Sequence, residues 1–135
     1  MIADYADFHV EETHDDLYGV YAVFVDKFLS DRVMQKIFEF NEKSRMNATA
    51  KKPFKPIEIS EEGLELIEYL SVDCTAVEGE WHSDSEIKID KLGYVIRNGE
   101  KTKEFWDGTV RSDKRPLRLK IRNSCGDESM WGVAE

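Results

Sequence analysis

The sequence predicts an α+β domain, a mostly antiparallel sheet with a C-terminal β-meander and one main helix packed on one face. Three observations predict it. Residues 86–122 alternate as short strands: Ile87 and Ile89, Tyr94 and Ile96, Phe105 or Trp106, then Leu117, Leu119 and Ile121. Asn98–Gly99 sits between two of these runs, where a type I′ hairpin turn needs positive φ at both central residues. A helical period begins after Ser30 and Asp31.

In chain order, residues 1–17 hold six acids with His9 and His14 and read as an acidic, partly extended entry segment. Five residues apart, the two histidines fall on opposite faces of a strand, so the spacing is poor for a shared metal. Tyr18–Val25 is apolar on both faces, as in a central strand covered on both sides. Ser30 or Asp31 caps a helix to about Met46, with Val33, Met34, Ile37, Phe38 and Phe40 as its buried stripe. Residues 47–56 form a loop with three lysines around Pro53 and Phe54.

Residues 60–70 fit two periods. Leu64, Ile67 and Leu70 suit a short helix followed by a strand from Val72 to Val77; Leu64, Leu66, Leu70 and Val72 also suit one long strand interrupted at Glu68. The helix-then-strand reading is preferred. Residues 78–85 form a polar turn region carrying Trp81 and His82, and Asp107–Gly108 reads as a second hairpin turn. In the last strand Leu117, Leu119 and Ile121 share a core-facing side, while Arg118, Lys120 and Arg122 share the other.

The 135 residues, 41% hydrophobic, suit a single domain covering 1–135 with a real core: the entry segment, a strand–helix–helix/strand unit over 18–77, and the meander. No run of eighteen apolar residues or secretory leader is written, so the expected partners include no membrane and the expected location is the cytoplasm. Cys74 and Cys125 form no C-x-x-C and are expected as reduced thiols.

The net charge of −9 argues against a nucleic-acid binder over its whole surface, yet it hides an asymmetry. Lys and Arg number five against ten acids in residues 1–50 and five against eleven in 51–96, but nine against four in 97–122. The candidate nucleic-acid-contacting residues are Arg118, Lys120 and Arg122, extended by Lys114 and Arg115 and flanked by Arg97, Lys101, Lys103 and Arg111. Tyr94, Phe105 and Trp106 are candidates to stack on an unpaired base. The competing explanation is that the basic strand face only neutralises acids of the same domain. No phosphate-cradling glycine loop, G-x-S-x-G or H-E-x-x-H is present, and the expectation is a non-enzyme.

Residues 57–75 (IEISEEGLELIEYLSVDCT), 81–90 (WHSDSEIKID), 93–108 (GYVIRNGEKTKEFWDG), 116–123 (PLRLKIRN) and Gly126–Asp127–Glu128 together resemble the C-terminal region of adenine-specific DNA methyltransferases, the modification subunits of type III restriction systems. The resemblance spans roughly the last 80 residues. That family transfers a methyl group from S-adenosylmethionine to adenine through D-P-P-[YFW] and F-x-G-x-G motifs. Neither is written here, since Pro53, Pro56 and Pro116 stand apart and Phe105 is followed by Trp106, Asp107 and Gly108. The resemblance therefore implies a non-catalytic accessory region of a restriction-modification protein. It would have no cofactor of its own, S-adenosylmethionine belonging to a parent enzyme, and would contact the DNA backbone or a restriction or modification subunit. The alternative is a stand-alone acidic module, of inhibitor or immunity type, that engages a basic protein partner.

Overall fold

The computed structural model describes residues 4–12 and 20–134. In it the chain forms β1 (Tyr5–Glu12), β2 (Tyr21–Leu29), α1 (Asp31–Met46), a 3-10 turn (Leu64–Leu66), β3 (Ile67–Asp73), β4 (Ser85–Ile89), β5 (Tyr94–Arg97), β6 (Glu100–Phe105), β7 (Thr109–Ser112), β8 (Arg118–Asn123) and β9 (Glu128–Gly132). Every strand pairing is antiparallel. The fold class is the one expected, mostly antiparallel sheet with one main helix.

The strands divide into two sheets, ordered β1-β2-β7 and β6-β5-β4-β3-β8-β9, where a single sheet was expected. Val23, Val25, Phe28 and Val110 from the first sheet share one buried cluster with Leu70, Val72, Ile87, Val95, Leu119 and Ile121 from the second. The strand near Tyr18 begins at Tyr21 among the described residues and runs to Leu29, as the middle strand of the smaller sheet.

The meander is real from β3 to β6 and then breaks. Asn98 and Gly99 have φ of 49° and 85°, so their turn has the positive φ pair that type I′ requires. Asn98 further anchors the hairpin by accepting from the Glu86 backbone N–H at 2.8 Å. Asp107–Gly108 is not a second such turn: only Gly108 has positive φ, and Asp107 accepts from the Thr109 N–H and hydroxyl at 3.0 and 2.6 Å. That local side-chain turn redirects the chain, and β7 leaves the meander to pair with β2. β8 then returns beside β3, and β9, which the sequence reading did not anticipate, closes the far edge.

Between Ser60 and Asp73 the helical reading gives way to strand. The helix shrinks to one 3-10 turn, and β3 starts at Ile67 and ends at Asp73, with a register shift between Ile67 and Tyr69. The interruption read at Glu68 is therefore a bulge in a strand. Helix propensity lost because both neighbours, β4 and β8, offer backbone partners.

Ser30 caps α1 as expected, accepting from the Val33 N–H at 3.3 Å. Its predicted buried stripe is corrected. Val33 is buried and Ile37 packs partly on the core, whereas Met34, Phe38 and Phe40 are exposed. The two sheets already cover each other, so only the first turns of the helix reach the core.

Replacing Leu70 by Ala removes a fully buried side chain and is expected to cost about 2–5 kcal/mol. Replacing Phe38, 60% exposed, is expected to change stability by about 0.5 kcal/mol or less. Urea unfolding of both variants checks this, and a similar large loss in each would mean that α1 packs along its whole length.

Candidate binding face on the larger sheet

One side of the six-stranded sheet meets the core; the other side is the candidate site. Strand register assigns residues to it, because directly paired residues share a face. Tyr69 pairs with Lys88 and Arg122, Ser71 with Glu86 and Lys120, and Asp73 with Arg118. Lys88 in turn pairs with Ile96, Ile96 with Lys101, and Tyr94 with Phe105.

At one end of this face lies a buried ion pair. The Asp73 carboxylate is fully buried, and its Oδ2 accepts from Arg118 Nε at 3.1 Å, Arg118 Nη2 at 2.7 Å and the His82 N–H at 3.0 Å. Its Oδ1 accepts from the Thr75 N–H and hydroxyl, both at 2.7 Å, and from the Ala76 N–H at 3.3 Å. Arg118 reaches further, donating to the Gly79 carbonyl at 3.1 Å and the Glu80 carbonyl at 2.8 Å. Together the pair straps the loop between β3 and β4 onto the sheet. Burial alone would raise the Asp73 pKa, but the His82 N–H, the Thr75 donors and the Arg118 guanidinium outweigh it and hold the carboxyl well below the ordinary range.

The strapped loop lays Trp81 across β8. Its indole N–H donates to Ser71 Oγ at 3.1 Å, and its ring lies 4.8 Å from the Arg118 guanidinium and 4.5 Å from Lys120 Nζ. Arg122 sits 4.7 Å above the Tyr69 ring. Glu128 on β9 lies 3.6 Å from Lys120 and 3.9 Å from Arg122. Toward the other edge the Tyr94 and Phe105 rings stack at 5.2 Å and 26°. Four strand spacings of about 4.8 Å separate β8 from β6, so the face is roughly 19 Å wide.

The expected basic row is thus corrected at its centre. Arg118 is 6% exposed and spent on Asp73 and the loop carbonyls, so it faces no phosphate. Arg97 points to the core side of β5, where it donates to the Thr109 carbonyl at 3.1 Å and to Asp107 at 3.0 Å, tying the two sheets together. Lys120 and Arg122 do lie on the face. Lys103 is exposed on the edge strand β6, and Lys114 and Arg115 are exposed in the β7–β8 loop, with Arg115 donating to the Ala134 carbonyl at 3.3 Å. Arg111 belongs to β7 in the smaller sheet. Of the candidate stacking rings, Tyr94 and Phe105 share the face, while the Trp106 indole donates to the Thr109 carbonyl at 2.8 Å and packs on the core. Lys88 and Lys101, brought beside Tyr69 and Ile96 by register, complete the set. For Lys88 the signal was in the sequence, as it lies between the inward-facing Ile87 and Ile89.

Asp73, His82 and Asp84 place one ligand atom each within 4.8 Å of one another. The donor set does not suit a cation. Both Asp73 oxygens are saturated by the donors named above, a guanidinium is among them, and Asp84 Oδ2 accepts from the Cys74 N–H at 2.6 Å. His9 donates from Nδ1 to the Asp26 carboxylate at 2.6 Å and stacks on Phe24, while His14 lies outside the described residues. Cys74 and Cys125 are free thiols. No helix among the described residues is long and apolar enough to cross a membrane.

Comparison of the chain with family models, with curated proteins and with solved structures found no match.

Asp73→Asn is expected to destabilise the fold by about 3–5 kcal/mol, since it leaves Arg118 buried without a counter-charge. The gap should depend on pH in one direction. With the native carboxyl pKa below the unfolded value of 3.8, the unfolded chain takes up the proton first as pH falls, so wild type holds this stability at neutral pH and loses it below about 3.8. Urea midpoints from pH 7 to 2 check it: wild type and variant should stay apart to about pH 5 and then converge. A constant gap to pH 2 would rule out the carboxylate as its source.

Proposed function

We propose that this chain is a non-catalytic DNA-contacting module whose outer face on the larger sheet meets the phosphate backbone. The observation that carries the reading is one of placement. In a chain of net charge −9, Lys88, Lys101, Lys120 and Arg122 fall on one sheet face among aromatic rings, with Glu86 and Glu128 as the acids paired into the same rows. Cations held at a surface amid an acidic remainder attract a polyanion to that side and repel it elsewhere. Tyr69 and Trp81 limit the freedom of Arg122 and Lys120, which lowers the ordering cost of gripping a phosphate. A place as an accessory region of a restriction-modification protein, supported by the resemblance in residues 57–128, gives this contact a setting, with a restriction or modification subunit as the other partner.

Arg118 is the wrong residue for a binding test, because changing it attacks the fold. The charge reversal Lys88→Glu with Arg122→Glu leaves the Asp73 strap intact. Fluorescence anisotropy against labelled DNA of about 30 nucleotides, single-stranded and duplex, over a range of salt concentrations is the measurement. Wild-type affinity should fall steeply with salt, and the double variant should bind at least about tenfold more weakly with a shallower salt slope on the duplex, by about 0.9 per lost contact. Absence of binding to either form at low salt would remove the proposal and turn attention to a basic protein partner for the acidic surface.

A further inference from the structure

We infer that the DNA this face takes is an unpaired strand, stacked by its bases on the Tyr94–Phe105 ring pair; the inference rests on the DNA-contacting reading and sharpens it. Phe105 is 73% exposed at the end of an edge strand, one ring stacked at 5.2 Å on Tyr94 and most of its surface in water. Isolated exposed apolar side chains are ordinary, but this ring pair shares its face with Lys101 and Lys88, which are exposed, and with Ile96 between them in register. Flat aromatic surface interleaved with lysine is what a single strand uses, its bases stacking on rings while its phosphates run along the cations.

A duplex does not meet those rings. Its bases show only their edges, at the floor of grooves, and reading them takes a protruding helix or ribbon. Here the rings lie on the sheet surface, as Tyr94 and Phe105 are a directly paired residue couple within β5 and β6. They offer π faces and carry no hydrogen-bonding group toward a base edge except the Tyr94 hydroxyl. A duplex would therefore gain only the phosphate contacts, and an unpaired strand would gain those and the stacking. The same chemistry names the strand as polynucleotide without sequence preference, because every base has a π face.

The test is anisotropy with a labelled oligo(dT) of about ten nucleotides, a duplex of the same length and a matching oligo(rU). Wild type is set beside Phe105→Ala, Phe105→Trp and Lys88→Glu/Arg122→Glu, each checked for folding by circular dichroism and urea unfolding. Oligo(dT) should bind at least about tenfold tighter than the duplex, Phe105→Ala should lose roughly tenfold on oligo(dT) and nothing on the duplex, and Phe105→Trp should restore binding. If Phe105→Ala binds oligo(dT) like wild type while salt-sensitive binding to either DNA persists and the charge reversal abolishes it, the stacking inference is overturned and the phosphate reading stands. No binding of wild type to any of the three overturns both. Oligo(rU) held more tightly than oligo(dT) overturns DNA as the occupant.

Discussion

A buried carboxylate fixes the shape of the outer face. Six hydrogen bonds converge on Asp73, four of them from the loop that follows it and two from Arg118, directly opposite on β8. Removing a charge of either sign from water costs several kcal/mol, and only a near-complete shell of donors offsets that. The shell is made almost entirely of loop backbone and one guanidinium, so the loop conformation and the ion pair stand or fall together. Because the loop is held down, Trp81 lies on β8 instead of hanging in solvent. Among the described residues no buried side-chain nitrogen or oxygen lacks a hydrogen-bond partner, which shows how fully this polar layer is satisfied on the side of the sheet away from the apolar core.

The same constraint redistributes the basic charge. Arg118 is spent inside, and the cations left on β8 sit against rings and share a single carboxylate, Glu128. Lysines from β4 and β6 carry the positive charge across to the other edge, where no acid is ion-paired to them within the described geometry. Edge lysines have a second use, since Lys101 and Lys103 on β6 also discourage pairing with another chain. That use accounts for charge at the edge but not for Lys88 in the interior of the sheet.

What the sequence made legible was local. The Asn98–Gly99 turn, the Ser30 cap and the two-faced alternation of β8 each depend on a few adjacent residues; the first two are present as read, and the third assigns each residue to its face but misses that Arg118 is buried there. Strand partnership is non-local, and there the reading failed: nothing in Thr109–Ser112 tells whether it continues a meander or crosses to β2. The stripe on α1 failed for a different reason. Val33, Ile37 and Phe40 recur with helical period whether or not a surface waits for them, and here the sheets bury each other first. Asp73 was hidden inside an otherwise apolar alternation, and its partner lies 45 residues away, so the residue that looked most available for phosphate was the one the fold had already used.

The rings on the outer face are the part that folding explains least. A cross-strand pair such as Tyr94 with Phe105 contributes about 0.2–1 kcal/mol to a sheet, and a β-branched residue opposite Tyr94 would supply much of that with less exposed apolar area. Tyr69 and Trp81 differ, since each is half-buried and occupied by a cation from β8. Phe105 has no such engagement beyond its stacking with Tyr94, and the core it could have joined lies on the opposite side of the sheet. Its surface is therefore surplus to the fold, on the part of the face where Lys88 and Lys101 form no ion pair with an acid among the described residues. A ligand that brings both a flat apolar ring and a negative charge would use both features at once, and a nucleotide in an unpaired strand brings both.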